Sequence, residues 1–206
     1  MRNYQFKKFK RTRLLALIFM FFGCGTNDDI QKIETFYLPL PKNWIDRSNF
    51  NVKDNLSRFD LSEKERVDLL KTHKNNIPIA LYLKYEPSIH EGTIPTVQVN
   101  LRPNKSNNFK NFKLAIQKSI EPLNSYFTNY KLLQPIEEIT IDGVKGVKLL
   151  AQFEMPVKNG EIWTIRSWTY AFPSTRYFYQ INFSDTKEEN CEDVYNKLIR
   201  QIKFKK

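Results

Sequence analysis

The sequence predicts an α+β protein, an α/β/α sandwich around a largely antiparallel sheet. Three observations support this fold class. The strand predicted at 161–172 carries apolar side chains on both alternations of its pattern, which indicates that both faces of the sheet are covered. Short turn signals join consecutive strands, so these strands are expected to run antiparallel. Two amphipathic helices, one in mid-chain and one at the end, are available to cover the two faces.

The charge of the chain is concentrated at its N-terminus. The 206 residues include 33 lysines and arginines against 22 aspartates and glutamates, a formal net charge of +11. Six of the basic residues and no acidic residue lie in 1–23. The remaining chain is only mildly basic, which argues against a nucleic-acid-binding role. Two cysteines exclude a framework of several disulfides.

The N-terminus has the pattern of an export signal. A basic segment at 1–13 precedes nine apolar residues at 14–22, and Gly23 follows. Nine residues rise only ~13.5 Å as a helix, which is too short to cross a ~30 Å hydrocarbon core. A basic flank, a short apolar run and a small residue form a secretory signal, so we predict that 1–23 is a signal peptide. The alternative is a buried N-terminal helix, which six uncompensated charges beside it disfavour.

The segment 21–24, FFGC, resembles the lipobox of bacterial lipoproteins. The resemblance implies that signal cleavage falls between Gly23 and Cys24 and that Cys24 carries a diacylglycerol. Two or three acyl chains anchor a protein stably, whereas one chain binds only marginally. Gly25 stands where an inner-membrane retention signal would have aspartate, and the acidic pair at 28–29 resembles surface-export signals of Bacteroidetes lipoproteins. An exported protein anchored in the cell envelope is therefore expected, in the outer membrane, with the leaflet left open.

The mature chain divides into a tether at 24–32 and a single domain at 33–206. Ser62 and Glu65 have the spacing of a capping box, which predicts a helix that ends near Asn75. Alternating apolar residues and turn signals predict the strands of this half. These strands are expected at 33–38, 77–85 and 95–102.

The second half begins with an amphipathic helix predicted at 107–120, where apolar residues recur every three or four positions. A meander of strands is then predicted at 130–133, 136–141, 144–155, 161–172 and 177–184. The pairs Asp142-Gly143 and Asn159-Gly160 are typical of hairpin turns, because these residues tolerate positive φ.

The last helix is predicted from Thr186 to Lys203, with Ser184 or Asp185 as its cap. Cys191 falls on the apolar stripe of this helix. We therefore expect Cys191 to be a small buried residue rather than a reactive thiol.

The order of these elements and their residue patterns resemble the PsbP/Mog1-type fold over about residues 33–204. The resemblance is carried by the segment LPLPKNW at 38–44, the mid-chain helix, the segments at 130–133 and 141–144, the aromatic strand pair and the end of the last helix at 202–204. It extends to small lipoproteins of Bacteroidetes. Because PsbP-like proteins assist membrane complexes and Mog1-like proteins bind a protein partner, the resemblance implies a non-enzymatic protein that binds or supports another envelope component.

No catalytic centre, cofactor or metal site is predicted. His73 and His90 stand apart, and only Cys191 would keep a free thiol after acylation of Cys24, so the usual metal ligands are not clustered in sequence. The sequence also lacks a Gly-x-Ser-x-Gly elbow and a glycine-rich phosphate loop.

The aromatic hairpin at 161–183 is the candidate binding surface, because eight of its 23 residues are aromatic. Exposed tryptophan and tyrosine beside arginine suit a sugar ring or a protein partner. The candidate residues are Trp163, Arg166, Trp168, Tyr170 and Tyr179. The alternative is a two-faced core, for which aromatic residues in strands are equally typical. The expected partners are membrane lipid through Cys24 and an envelope protein or a glycan, with no nucleic acid.

Overall fold

The computed structural model describes residues 29–48, 64, 71, 75–156 and 161–206. Its strands are β1 (Thr35–Tyr37), β2 (Ile45–Asp46), β3 (Ile77–Leu83), β4 (Thr96–Pro103), β5 (Thr128–Ile141), β6 (Val144–Pro156), β7 (Ile162–Pro173), β8 (Tyr177–Thr186) and β9 (Lys203–Lys205). The helices whose bounds are described are α1 (Phe109–Ile120), α2 (Leu123–Tyr126) and α3 (Glu192–Gln201). The predicted signal peptide, Cys24 and the Asn159-Gly160 turn lie outside the described residues. Of the predicted helix after Ser62, only Lys64 and Lys71 are described, and both are helical.

Seven strands form one sheet in the order β2-β3-β4-β8-β7-β6-β5, and each neighbouring pair is antiparallel. The predicted α+β class with its antiparallel sheet is thereby confirmed. The strands predicted at 130–133 and 136–141 are one strand, β5, whose register on β6 shifts at three places. Asp142 and Gly143 join β5 to β6 with φ of 48° and 73°. Positive φ at both positions is what a tight two-residue hairpin requires.

Strand β7 shows why both faces of the sheet are covered. Trp168, Tyr170 and Phe172 point to one face, where they join the larger apolar cluster with α3. Ala171 points to the other face and joins a smaller cluster with α1. Successive residues of a strand alternate between faces, so one strand contributes to two cores. Among the described residues, α3 covers one face and α1 the other, which confirms the predicted α/β/α sandwich.

Helix α1 begins at Phe109, two residues after the predicted start at 107. The side-chain oxygen of Asn108 accepts a hydrogen bond from the Asn111 amide at 2.8 Å and so caps the helix. The buried stripe of α1 consists of Phe109, Phe112 and Ile116. Among the described residues, no helix combines the length and the apolar character needed to cross a lipid bilayer.

Helix α3 begins six residues later than predicted, because β8 continues through Thr186. Neither Ser184 nor Asp185 is the residue that precedes the helix; that position is occupied by Cys191. Asp185 is fully buried, pairs with Arg166 and accepts a hydrogen bond from the Cys191 amide at 2.7 Å. Cys191 is buried, as its place on the apolar stripe predicted.

The two ends of the folded domain pair with each other. Strands β1 and β9 form a small antiparallel sheet in which Phe36 lies opposite Phe204. Strand β9 was missed in the sequence because the predicted terminal helix extended to Lys203. Asp142 accepts hydrogen bonds from the Phe204 amide at 2.9 Å and from Lys203 Nζ at 3.2 Å, which lower the pKa of its carboxyl. The β5–β6 turn is thereby joined to the C-terminal strand.

Gly146 lies where the sheet has no room for a side chain. A Cβ atom there would lie 2.5 Å from Cδ1 of Phe172 and 2.8 Å from the carbonyl oxygen of Ala171. Neither neighbour moves easily, because Phe172 is fully buried in a close-packed core and the oxygen belongs to the backbone. We expect Gly146→Ala to lower the free energy of unfolding by about 1–3 kcal/mol, as measured by urea denaturation.

The matched control is the same substitution in a Phe172→Leu background. The smaller side chain relieves the contact with the ring but leaves the contact with the Ala171 carbonyl. The added cost of Gly146→Ala should therefore be smaller in this background. An equal cost in both backgrounds would show that the ring is not the source of the clash.

Candidate functional site

Most of the aromatic hairpin belongs to the core rather than to the surface. Trp168, Tyr170 and Tyr179 are each 3% exposed and lie in the larger apolar cluster. The alternation of β7 and β8 turns all three side chains toward that face of the sheet. A binding surface made from these three residues is therefore not formed, and the alternative interpretation, a two-faced core, explains their aromatic character. Trp163 differs from them because it is half-buried.

Arg166 also serves the core. Its Nε and Nη2 atoms donate to Oδ1 and Oδ2 of Asp185 at 2.9 and 3.0 Å. The Arg166 side chain is 13% exposed, and its guanidinium carbon lies 4.9 Å from the ring centroid of Trp168. Burial raises the pKa of the Asp185 carboxyl, and the hydrogen bonds from Arg166 and Cys191 oppose this effect. Arg166 thus compensates a buried carboxylate instead of presenting its charge to a ligand.

Trp163 lines an open depression of about 900 Å³ at the N-terminal end of β7. Its indole N–H donates to Glu161 at 3.3 Å. His90 lies in the same depression and stacks on Tyr85 with ring centroids 4.3 Å apart. The described lining includes four glutamates, so the depression is acidic. One of them, Glu189, accepts hydrogen bonds from Lys84 and Tyr85, which lower the pKa of its carboxyl.

A cavity of about 690 Å³ lies between α1 and the face of the sheet opposite the larger apolar cluster. Strand β7 makes the room for it, because the side chains that β7 places there are the small ones of Ser167, Thr169 and Ala171. Trp168, Tyr170 and Phe172 of the same strand point to the opposite face. Helix α1 forms the roof of the cavity through Phe112, Ala115, Ile116, Ser119 and Ile120.

The β8 and β4 side of the cavity is polar. Asn182 Oδ1 accepts hydrogen bonds from Thr169 Oγ1 at 2.9 Å and from Gln180 Nε2 at 3.1 Å. Arg102 Nη1 donates to Gln180 Oε1 at 2.9 Å and extends this row to the rim. Arg102 and Lys105 are both exposed at the rim, and no acidic residue is among the described lining residues. The described rim therefore carries an excess of positive charge.

The β6 and β5 side of the cavity is apolar and aromatic. The ring centroid of Phe127 lies 4.3 Å from that of Phe153 and 6.4 Å from that of Tyr130. The Tyr130 hydroxyl is shielded from solvent and has no hydrogen-bond partner among the described residues. Burial raises the pKa of Tyr130, so the hydroxyl stays protonated at neutral pH. Leu149 and Ala151 complete the floor on this side.

The described lining of this cavity offers apolar contacts, hydrogen-bonding groups and positive charge. Its described lining contains no histidine, cysteine, aspartate or glutamate. In the part of the chain that the structure describes, no three residues of these types form a group that could hold a metal ion. A sequence signal for the cavity existed, namely three small residues at alternate positions, Ser167, Thr169 and Ala171. The alternation of apolar residues in β7 does not reveal this signal, because the cavity follows from side-chain volume and not from polarity.

The chain enters the folded domain beside the rim of this cavity. Ile30 already packs against the apolar cluster of α1, and Ile33 is fully buried. The Ile33 amide donates to Ser174 Oγ at 2.9 Å. The Ser174 carbonyl in turn accepts a hydrogen bond from Asn104 Nδ2 at 2.8 Å, and Asn104 precedes Lys105 at the rim. A single turn after β7 therefore connects Ile33, near the first described residues, with the rim.

These features define the class: an α+β sandwich with a ligand-sized cavity between one helix and an antiparallel sheet. No protein-family model and no curated protein sequence matches the chain. In fold it is similar to the crystal structure of LpqN, which is involved in cell envelope biogenesis of Mycobacterium tuberculosis. The TM-score is 0.51, with 16% identity over 84% of each chain. A protein of unknown function from Pseudomonas aeruginosa has a TM-score of 0.42 and 14% identity, over 59% of this chain and 78% of that one.

Proposed function

We propose that the protein is a lipid-anchored lipoprotein of the cell envelope, without enzymatic activity, that binds or supports the assembly of another envelope component. The observation that carries this proposal is that Ile30, which lies only six residues after Cys24, packs against the folded domain. Six residues span at most about 20 Å when fully extended. An acylated Cys24 would therefore hold one particular end of the domain close to the bilayer.

Two further points support a binding role. LpqN, which shares the fold, is involved in cell envelope biogenesis. The residues that line the cavity beneath α1 provide apolar contacts, hydrogen bonds and positive charge, all of which serve binding. The sequence resemblance to PsbP/Mog1-type domains and to Bacteroidetes lipoproteins implies the same kind of role. The residues that follow Cys24 favour the outer membrane as the location.

The glycan alternative depends on exposed aromatic rings. Stacking on a sugar requires an accessible ring face, and Trp168, Tyr170 and Tyr179 are buried. The alternative therefore rests on Trp163 alone, in the acidic depression that it shares with His90. Titration of the protein with soluble envelope glycans, followed by tryptophan fluorescence in the wild-type protein and in Trp163→Phe, would test this alternative.

Cys24→Ala is expected to abolish acylation of the protein. Cells that express the wild-type protein and are fed alkyne-tagged palmitate should yield a labelled protein that stays with the membrane after high-salt washing, because buried acyl chains are not displaced by salt. The variant should carry no label, because no other cysteine is available in the lipobox.

Cys191→Ala is the matched control. Cys191 is the second cysteine of the chain and is buried at the start of α3. This variant should be labelled to the same extent as the wild-type protein. Label that persists on Cys24→Ala, or that disappears from Cys191→Ala, would contradict the assignment of Cys24 as the anchor.

A further inference from the structure

We propose that the cavity beneath α1 binds a single-chain amphiphile with an anionic head, of the class of fatty acids and lysophospholipids. The source of this ligand is the membrane to which the domain is tethered, and this part of the inference rests on the function proposed above. The head would lie at the rim beside Arg102 and Lys105. The acyl chain would lie between α1 and the sheet.

The size and lining of the cavity suit an acyl chain. Its volume of about 690 Å³ lies within the ~300–1,000 Å³ that is typical of small-molecule sites. Helix α1 and strand β6 supply apolar surface along its length. The apolar residues of this surface are Phe112, Ile116, Ile120, Leu149, Ala151 and Phe153. Water in such a space is displaced favourably by an apolar chain.

The charge at the rim selects the head. Arg102 uses Nη1 to donate to Gln180, and a guanidinium has several other N–H donors. These donors match a carboxylate or a phosphate in two-pronged geometry. Lys105 adds a second cation beside it, and the described lining offers no acidic residue to neutralise either one. An anionic head is therefore preferred over a neutral head on the same chain.

The position of the rim provides access to the membrane. Asn104 donates to the Ser174 carbonyl, and Ser174 Oγ accepts the hydrogen bond from the Ile33 amide. The rim and the entry of the tether therefore lie at the same end of the domain. Because at most about 20 Å of chain separates Cys24 from Ile30, which packs against the domain, this end is the one that an acylated Cys24 holds against the lipid headgroups.

Photolabelling in a defined membrane tests the inference. Full-length acylated protein is placed in nanodiscs of phosphatidylcholine that contain one of two diazirine probes, a palmitate analogue with an anionic head or the corresponding neutral alcohol. Labelled peptides are identified by mass spectrometry after irradiation. We expect the label on α1 and β6, with the anionic probe favoured about tenfold, since a charge-assisted hydrogen bond is worth roughly one such factor.

Two variants examine the two parts of the site. The double variant Arg102→Gln, Lys105→Gln changes exposed side chains and should remove the preference for the anionic probe while labelling by the neutral probe persists. Ser167→Leu extends a side chain into the cavity and should suppress labelling by both probes. Ser88→Leu, the same change at an exposed loop position, should suppress neither. Far-UV circular dichroism checks that all variants are folded.

Several outcomes would overturn the inference. They are label confined to the tether or to exposed surfaces, equal labelling by the two probes in the wild-type protein, or unchanged labelling in Ser167→Leu. Failure of the anchor is distinguished by the Cys24→Ala full chain, incubated in buffer with probe carried by albumin. Label in the cavity of this chain supports the binding site even if Cys24 is not acylated. An acylated wild-type protein without label in the cavity refutes the binding site alone.

Discussion

Tyr195→Ala is expected to lower the free energy of unfolding by about 3–5 kcal/mol, the range found when a large aromatic side chain is removed from a core. Tyr195 is 1% exposed. Its ring centroid lies 4.8 Å from that of Phe183, 5.4 Å from that of Trp168 and 6.1 Å from that of Trp44. These rings come from separate elements, so they cannot close around the missing side chain together. Urea denaturation followed by tryptophan fluorescence measures the loss, because two of the neighbours are tryptophans.

Tyr195→Phe separates packing from hydrogen bonding at this position. The Tyr195 hydroxyl donates to the Ser184 carbonyl at 2.7 Å, and burial raises its pKa, so it remains a donor at neutral pH. Phenylalanine keeps the ring contacts and loses the hydroxyl with its hydrogen bonding, at a cost of about 1–2 kcal/mol. If alanine cost no more than phenylalanine, the aromatic cluster would not be the source of the stability.

Asp185→Ala is expected to lower the free energy of unfolding by about 3 kcal/mol, near the lower end of the range for breaking a buried ion pair. The lower end applies because Arg166 keeps 13% exposure and lies 3.8 Å from Glu192, which offers partial compensation. Asp185 also accepts the hydrogen bond from the Cys191 amide that precedes α3. The substitution therefore leaves a cation and a helix-terminal N–H without their partner, and urea denaturation should show the loss.

A double-mutant cycle with Arg166→Met assigns this cost. Each single variant leaves one buried charge without its partner, whereas Arg166→Met, Asp185→Ala together removes both charges. The double variant should be destabilised by clearly less than the sum of the two single variants. Additive losses would show that the two side chains act independently and that the ion pair contributes nothing of its own.

Local patterns predicted most of the strands and the start of α1. Apolar residues at helical spacing predicted α1 to within two residues of its start, and Asp142-Gly143 marked a hairpin turn that has the expected positive φ. The start of α3 was predicted six residues too early. Residues 186–191 are compatible with a first helical turn in isolation. In the fold, Asp185 instead forms an ion pair with Arg166 of the neighbouring strand, which lies 19 residues away in sequence.

The candidate site was less accessible to sequence reasoning. The aromatic residues of β7 and β8 have the composition of a binding surface and of a core alike, and only the strand register shows that Trp168 and Tyr179 face the inside. The cavity depends on the small side chains of Ser167 and Thr169 beneath α1. Arg102 reaches the rim of the cavity from β4. In the sheet order, β8 lies between β4 and β7.

The sequence by itself determined the α+β class, the antiparallel meander and the amphipathic helices, and it predicts a lipobox at Cys24, because periodicity, turn chemistry and short motifs are local properties. Only the tertiary structure decided that the hairpin aromatics are core, that Arg166 compensates Asp185, and that space remains beneath α1 next to the entry of the tether. The physical reason is that burial, ion pairing and empty volume depend on which distant segment lies opposite a residue. Strand order and register set those pairings, and neither is determined by any single segment of the sequence.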